Sequence, residues 1–383
     1  MTRAAALLLL LVSPLAAEPP DLAPLREKVQ TKLDALRAEN GFPGASVAVA
    51  FADGRTLAAT TGFADPDAKT PLTPADRILA GSVGKTFVSA VLLQLVEEGK
   101  VGLDDKLSKW LGEEAWFARL PNGGDLTVRH CLHHATGLPE YFEGKGFETA
   151  IKADPDREWK PAELLAYVLD VKPLFAAGKG WAYADTNYIL VGMVAEKATG
   201  KPLFAEVVRR LVEPLKLDRT VPSDRRVIPD LAVGYAGPRN PLGPAGRTIV
   251  GGKLLTNPQF EWAGGGLAST PTDLARWAKA VYEGKAFRKP ETLTLLLTGV
   301  DSAGGRGGAK GSQYGLGVMI RESPWGPSYG HGGWYPGYRT EVEYFPKHKT
   351  AIAVQFTTDQ GPQLKKGLRA YIGDVARVVL PAG

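Results

Sequence analysis

The stretch GSVGKT, from Gly81 to Thr86, places a serine and a lysine three residues apart. Residues at this spacing share one face of a helix, so Ser82 and Lys85 would lie side by side if Ser82 opens the helix that follows. A serine hydroxyl is a weak nucleophile until a neighbouring base removes its proton. The positive end of a helix favours a developing alkoxide and disfavours a protonated lysine. The pair therefore predicts an activated serine, although a helix-capping serine beside a surface lysine has the same spacing.

The same letters also contain GKT, which ends a phosphate-binding P-loop. That motif requires a glycine five residues before Gly84, because the backbone must curl around the phosphates there. Leu79 occupies this position. The sequence therefore does not favour nucleotide binding.

The stretch WAYADTNY holds a second set of polar side chains, Tyr183 and Asp185, just before an apolar helical pattern from Asn187 to Gly200. A tyrosine close to an ammonium group loses its proton more easily, since the opposite charge favours the phenolate. It could then accept a proton from the nucleophile and return one to the leaving group. A packed tyrosine followed by a helix-capping aspartate is the alternative.

The third stretch, GHGGWYPG, places His331 and Gly333 between two strand patterns. Glycine lets the backbone approach a substrate closely, and the next N–H can then point at a substrate carbonyl oxygen. A glycine-rich hairpin with no chemical role is the alternative for this stretch alone.

The order S-x-x-K, Y-x-[ND], [KH]-x-G resembles the serine β-lactamase-like superfamily, in particular its branch of class C β-lactamases, D-alanyl-D-alanine carboxypeptidases and esterases. Further stretches carry the resemblance over nearly all of the chain after the first 17 residues: DRILAGSVGKTF, VRHCLHHATGLPEY, YADTNYILVGMVAEKATGKPL, WAGGGLASTPTDLARWAKAV, YGLGVMI and GHGGWYPGYRT.

This resemblance implies a role for each matching residue. Ser82 would be the acylated nucleophile, Lys85 its proton partner and Tyr183 the general base and acid. Substrate would be contacted by Asp185, His331 and Gly333. The backbone N–H groups of Ser82 and Trp334 would form the oxyanion hole.

Two positions depart from the pattern of β-lactamases. Asp185 stands where many members have asparagine; an ionised carboxylate should hold Lys85 protonated, shift the base role toward Tyr183 and offer no hydrogen bond to a substrate carbonyl. His331 replaces a lysine, and an imidazole with an ordinary pKa of about 6.5 is mostly neutral at pH 7. Both changes argue against an efficient β-lactamase.

The resemblance thus implies a serine hydrolase that forms an acyl-enzyme on ester or amide bonds. Its substrate would be a small molecule or peptide, either a D-amino-acid peptide or an ester. The alternatives are a β-lactamase, or a non-catalytic penicillin- or peptidoglycan-binding protein of the same fold.

Strand patterns near both chain ends and helical patterns between them predict an α+β fold. One antiparallel sheet would be built from both ends and flanked by the N- and C-terminal helices, the last from about Gln363 to Leu380. We expect residues 18–85 and 262–383 to form this sheet domain and residues 86–261 a mostly helical region. The glycine-rich stretch from Ser302 to Ser312 is interpreted as a surface turn.

The first 17 residues have the basic start, apolar stretch and small-residue end of a signal peptide, which predicts an exported, periplasmic or secreted protein. No later stretch is apolar enough to span a membrane. The net charge of +5 is scattered along the chain, so nucleic-acid binding has no support. The sequence leaves the oligomeric state open.

His130, Cys131, His133 and His134 have side chains that can bind metals, but they are too crowded along the chain for an ordinary metal site. Cys131 is the single cysteine, so a disulfide within the chain is excluded. We therefore expect neither a metal nor another cofactor.

Overall fold

The computed structural model describes residues 21–238 and 240–381. The predicted signal peptide, residues 1–17, lies outside the described residues. The α-helices are α1 Ala23–Asn40, α2 Gly84–Glu97, α3 Ser108–Leu111, α4 Val128–Leu132, α5 Phe147–Ala153, α6 Pro161–Leu165, α7 Thr186–Thr199, α8 Leu203–Val207, α9 Pro271–Tyr282, α10 Pro290–Leu296 and α11 Leu368–Val379.

The strands are β1 Gly44–Ala50, β2 Thr56–Asp65, β3 Thr70–Pro71, β4 Ile78–Leu79, β5 Val221–Pro222, β6 Tyr235–Ala236, β7 Gly246–Arg247, β8 Ile249–Val250, β9 Lys253–Leu254, β10 Leu267–Ser269, β11 Val300–Asp301, β12 Gln313–Tyr314, β13 Met319–Ser323, β14 Gly326–Tyr335, β15 Tyr338–Phe345 and β16 Thr350–Phe356. Two 3₁₀ helices, Gly81–Val83 and Pro258–Gly264, also contribute to the site.

A nine-stranded sheet organises the fold, in the order β11-β12-β13-β14-β15-β16-β1-β2-β3. Strand β1 pairs antiparallel with β2 on one side and with β16 on the other, where Val47 lies opposite Val354. The two ends of the chain thus share one sheet, and the predicted α+β fold is confirmed. All residues of β1 are buried, because helices cover both faces of the sheet.

Helices α1 and α11 cover one face. The leucines that recur at helical spacing in α1, among them Leu33 and Leu36, are buried in a cluster that also contains Ile372 and Val375 of α11. The sequence predicted a final helix from residue 363, but α11 begins at Leu368. Only a 3₁₀ turn forms at Gly361–Gln363, and the residue before α11, Gly367, is extended.

The opposite face carries the larger hydrophobic core and the helical part of the chain. Helix α2 lies at its centre, and each of its first ten residues is buried. The Phe87 ring of α2 stacks on Trp277 of α9, with centroids 4.0 Å apart. This stacking joins the start of α2 to α9, a helix that packs on β1 and β16. The proposed division at residues 85/86 and 261/262 stays a prediction.

Within residues 21–238 and 240–381, every helix is too short or too polar to cross a membrane.

Candidate active site

The Ser82–Lys85 pair lies where the 3₁₀ turn Gly81–Val83 runs into α2. Lys85 Nζ donates a hydrogen bond of 3.0 Å to Ser82 Oγ. Position 84, between them, requires a glycine, because a Cβ there would come 1.7 Å from the carbonyl oxygen of Gly265. The glycine allows α2 to pack directly on that neighbouring segment.

Lys85 is fully buried, and its partners come from distant parts of the chain. Its ammonium group forms an ion pair with Asp185 and donates to the carbonyl of Gly264. The ammonium also lies 4.9 Å from the centre of the Tyr183 ring. These contacts place one cation between the nucleophile and the segment before α7, as the resemblance implied.

Tyr183 is half-buried with its hydroxyl fully covered, and its ionisation differs from our expectation. Burial raises the pKa of its phenol well above the ordinary value of 10.0; the Asp185 charge adds to this effect, and Ser82 nearby opposes it. Its hydroxyl forms no hydrogen bond of normal geometry with any described residue. The prediction that a nearby ammonium would lower this pKa was wrong, because desolvation outweighs the attraction. The resting group is a neutral phenol and a proton donor.

A chain of hydrogen bonds connects the Tyr183 segment to β14. His134 Nδ1 accepts from the Ala184 N–H at 3.2 Å, and its Nε2 bonds the Tyr314 hydroxyl at 3.2 Å. That hydroxyl bonds His331 Nε2 at 2.9 Å, and His331 Nδ1 donates to the Gly332 carbonyl at 2.6 Å. Burial lowers the pKa of His134 well below its ordinary value. A neutral His134 with its proton on Nε2 satisfies each of its contacts.

His331 is neutral for the same reason. Burial, with a smaller contribution from the Lys85 charge, lowers its pKa to about 3. Its side chain lines the cavity, but both ring nitrogens are bonded within the protein. An uncharged, internally bonded imidazole cannot hold a substrate carboxylate as a lysine would.

Gly333 and Trp334 of β14 lie against the nucleophile turn. A Cβ on Gly333 would come 1.9 Å from the carbonyl oxygen of Ala80, and one on Gly81 would come 2.6 Å from the Trp334 nitrogen. Only glycines allow the strand and the turn to approach this closely. The backbone of Trp334 is thereby placed beside the nucleophile turn, and the oxyanion hole of Ser82 and Trp334 stays a prediction.

Two buried glutamates, which the sequence did not single out, also line the cavity. Glu140 accepts from the backbone N–H groups of Tyr141, at 3.0 Å, and of Asp185, at 2.7 Å. Burial and the Asp185 charge raise the pKa of Glu140 well above its ordinary value. The sequence does contain a signal for this residue: Glu140 is a carboxylate within the stretch VRHCLHHATGLPEY, which is otherwise typical of a structural turn.

Glu261 precedes Trp262, whose φ of 36° interrupts the 3₁₀ helix. Its Oε2 is buried without a hydrogen-bond partner among the described residues. Burial, then the Asp185 charge, raises the pKa of Glu261 to about 8. The sequence signal that could have pointed to Glu261 is its place between two aromatic residues, Phe260 and Trp262.

Replacing Glu261 with glutamine is expected to stabilise the protein at alkaline pH. The native carboxyl has a pKa of about 8 against 4.5 for an unperturbed glutamate, so the native state binds more protons between these values and loses stability as pH rises through them. Thermal unfolding should give Glu261→Gln a higher Tm than the parent at pH 8.5 and an equal Tm at pH 5. Each kcal/mol corresponds to about 2–4 °C or less in a chain of this size. A constant difference across pH would contradict the shifted pKa.

The glycine-rich stretch from Ser302 to Ser312 is a largely exposed turn, as predicted, and Arg306 and Gly307 within it also line the cavity. The Tyr183 N–H donates to the Arg306 carbonyl at 3.0 Å, and a Cβ on Gly307 would lie 3.0 Å from that of Tyr183. Arg306 also forms an ion pair with Glu143. The glycines are needed because this loop packs against the backbone beside the tyrosine.

The cavity has a volume of about 670 Å³, which suits a small molecule or a short peptide. Aromatic side chains form much of its wall, namely Phe142, Phe147, Phe260 and Tyr335. The polar groups around Ser82 converge on this space. The arrangement can therefore position a carbonyl compound against the serine.

The histidine- and cysteine-containing stretch does not form a second site. Cys131 is fully buried, and burial raises the pKa of its thiol. Among the residues that the structure describes, no three His, Cys, Asp or Glu side chains are grouped so that they could hold a metal ion.

Fold and site together correspond to a known class of hydrolases. The Beta-lactamase family matches residues 29–377, so the chain belongs to that family. It is a family of β-lactamase-fold hydrolases that includes penicillin-binding proteins, peptidases and esterases.

The individual relatives share only about a quarter of their residues with this chain. The chain is 26% identical to penicillin-binding protein 4* of Bacillus subtilis, over 85% of this chain and 71% of that protein. It is 27% identical to a D-aminopeptidase of Brucella anthropi, over 83% of this chain but 57% of that longer protein. A crystal structure of a D-stereospecific amidohydrolase from Streptomyces superposes with a TM-score of 0.73 at 28% identity, covering 89% of this chain and 95% of that one.

Proposed function

We propose that this protein is an exported serine hydrolase that cleaves ester or amide bonds of substrates with a free amino group, through an acyl-enzyme on Ser82. The observation that carries the proposal is the 3.0 Å hydrogen bond from buried Lys85 to Ser82 at the cavity wall. The peptidase-like and amidase-like relatives support this substrate class. Export rests on the signal-like first 17 residues.

The proton path uses the Lys85–Asp185 pair. A proton can pass from the Lys85 ammonium to the Asp185 carboxylate along the hydrogen bond that joins them. The neutral amine then takes the Ser82 proton while Oγ forms a bond to the substrate carbonyl carbon. The carbonyl oxygen becomes an oxyanion, which the backbone N–H groups of Ser82 and Trp334 would stabilise.

Tyr183 acts on the leaving group. As a neutral phenol it can donate its proton to the departing amine or alkoxide as the bond to the carbonyl carbon breaks, and the proton held by Lys85 restores the phenol. Water then attacks the acyl-enzyme, its proton follows the same path in reverse, and the free acid leaves Ser82. This sequence keeps the base role on Lys85 and the acid role on Tyr183.

The carboxyl groups favour a cationic substrate. Glu140, Asp185 and Glu261 line the end of the cavity near Tyr183, where Lys85 is paired with Asp185 and Arg306 with Glu143. A substrate ammonium next to Glu261 would provide the missing partner for Oε2 and favour the ionised carboxylate. The neutral His331 offers no comparable attraction for the carboxylate of a β-lactam. These carboxyl groups, which a bound ammonium helps to ionise, favour amino-acid amides, esters and peptides over β-lactams.

A pair of chromogenic substrates tests this preference. We expect D-alanine p-nitroanilide to be cleaved at least tenfold faster, in kcat/KM, than its N-acetyl derivative, and Glu261→Gln to remove about tenfold of that ratio. The ratio should rise from pH 6 to a maximum near neutral or slightly alkaline pH and fall above it, because Glu261 ionises with a pKa of about 8 while the substrate α-amine, with an ordinary pKa of about 7.7–8.0, loses its charge.

Glu213→Gln, a substitution at an exposed glutamate, serves as the matched control and should leave the ratio unchanged. An equal rate on both substrates would contradict recognition of the amine. Rapid hydrolysis of nitrocefin with no cleavage of either anilide would instead support a β-lactamase.

A further inference from the structure

The cavity continues past the catalytic groups, across the edge of β14. Strand β13 pairs only with the first half of β14, up to Gly330, so the edge of residues 331–335 is open on that side. Side chains alternate along a strand, which places Gly332 and Trp334 on the opposite face from His331 and Gly333. The cavity lining includes residues of both faces.

The far face carries a different set of charges from the catalytic face. Glu341 lies opposite Gly332 in the β14–β15 pairing, and Arg339 lies opposite Trp334. Arg321 of β13 and Arg369 of α11 complete this end of the cavity. The end near Tyr183 is thus rich in carboxyl groups, whereas the end beyond β14 is rich in guanidinium groups.

Two of the three arginines already have partners. Arg321 forms ion pairs with Glu341 at 2.6 Å and with Glu343 at 3.1 Å. Arg369 forms an ion pair with Glu343 at 2.5 Å. Their charges are compensated within the protein.

Arg339 differs from them. Its half-buried guanidinium forms no ion pair or side-chain hydrogen bond with the residues that the structure describes. The two carboxylates whose charges act on Arg339 already have other partners: Asp359 accepts from Trp334 Nε1 at 2.9 Å and from the Gly237 N–H at 2.7 Å, while Glu341 binds Arg321. Burial lowers the pKa of Arg339, and the more distant Asp359 and Glu341 charges compensate only part of that effect.

We propose that Arg339 binds an anionic group, a carboxylate or a phosphate, in the leaving-group part of the substrate. A cation that loses hydration and has no protein partner gains most from a bidentate anion. The Ser82 turn lies against Gly333 of β14, the strand whose two faces carry the two ends of the cavity. A substrate that reaches both ends carries an ammonium group on its acyl side and an anion beyond the scissile bond.

This inference rests on the proposed function and narrows its substrate class. A dipeptide with both termini free has this charge pattern, as does an aminoacyl ester of an alcohol that carries a phosphate. Both anions offer planar or tripodal oxygens that match the guanidinium fork. The carboxylate and the phosphate are therefore tested as separate arms.

The test compares substrates that differ only in the anion. The carboxylate arm uses D-alanyl-D-alanine and D-alanyl-D-alaninamide; the phosphate arm uses the D-alanyl esters of glycerol 3-phosphate and of glycerol. We expect the charged member of at least one pair to have a kcat/KM about ten- to a hundredfold higher than its neutral partner. Arg339→Gln should reduce that ratio to near one, and Arg339→Lys should restore part of it.

A second readout does not need turnover. The charged member should protect Ser82 from a fluorophosphonate at about a tenfold lower concentration than the neutral one, and Arg339→Gln should abolish the difference. The control is Arg225→Gln, at an arginine that pairs with Asp224 on the surface. This variant should keep both the kcat/KM ratio and the difference in protecting concentration of the parent.

The outcomes separate the two proposals. If the charged-to-neutral kcat/KM ratio is the same in the parent and in Arg339→Gln while Ser82 still reacts, the proposed role of Arg339 is overturned. The proposed hydrolase function is unaffected by that result. A Ser82 that neither reacts with the fluorophosphonate nor turns over any substrate would overturn the proposed function itself.

Discussion

Replacing Ser82 with alanine should reduce kcat by a factor on the order of 10⁴–10⁶, because removing the nucleophile of a serine hydrolase leaves only binding and oxyanion stabilisation. Ser82 is partly exposed in a 3₁₀ turn, and its hydroxyl accepts one hydrogen bond, from Lys85. The variant should therefore fold normally. Intact mass after incubation with a fluorophosphonate provides the direct measurement: the parent gains one adduct, and Ser82→Ala gains none.

The control is Ser108→Ala, at an exposed serine at the start of α3, which should keep both the adduct and the activity. An adduct that persists in Ser82→Ala would place the nucleophile elsewhere. A folded parent that gains no adduct would favour a binding protein without catalysis.

Replacing Lys85 with methionine should have the second largest effect, on both activity and stability. Lys85 is completely buried, and its removal leaves Asp185 without its ion-pair partner beside Glu140 and Glu261. Breaking one member of a buried pair typically costs about 3–5 kcal/mol. Without the amine that receives the Ser82 proton, kcat/KM should also fall by several orders of magnitude. Urea unfolding and substrate kinetics measure the two losses separately.

The double variant Lys85→Met/Asp185→Asn separates these causes. It removes both charges, so most of the lost stability should return, while activity should stay as low as in the single variant. Recovery of activity together with stability would show that Lys85 acts only by balancing the buried carboxylate.

Asp185→Asn alone distinguishes two roles of the aspartate. If Asp185 serves only to bind substrate, the asparagine side chain adds the hydrogen-bond donor that the carboxylate lacks, and cleavage of amides should increase. The ion pair with Lys85 instead predicts that activity falls, since the proton path through Asp185 is lost. Rates on matched amide and ester substrates decide between these results.

The α+β fold was largely predictable because its signals are local. Period-two patterns marked the strands at both ends of the chain, and apolar spacing marked α1, α2 and α7. The boundaries were less predictable where glycine and proline allow several conformations, as before α11. The short strands β6 to β9 have too few residues each to show a periodicity.

The sequence by itself determined the residues that one helix turn or one strand brings together. The spacing of Ser82 and Lys85 brings the two side chains within hydrogen-bond distance. Position 333 must be a glycine because β14 contacts the nucleophile turn there. These relations depend on local geometry and on the absence of a Cβ, both of which can be read from residue types.

Only the tertiary structure decided which charges share the cavity and how they titrate. Glu261 and Arg339 come from separate elements. Nothing in their local sequence says that, within the part of the chain that the structure describes, Glu261 Oε2 has no hydrogen-bond partner and Arg339 no ion-pair partner. The raised pKa of Tyr183 likewise reverses the prediction from its neighbour Lys85. The physical reason is that desolvation depends on everything packed around a group, and that packing is assembled from residues far apart in the chain.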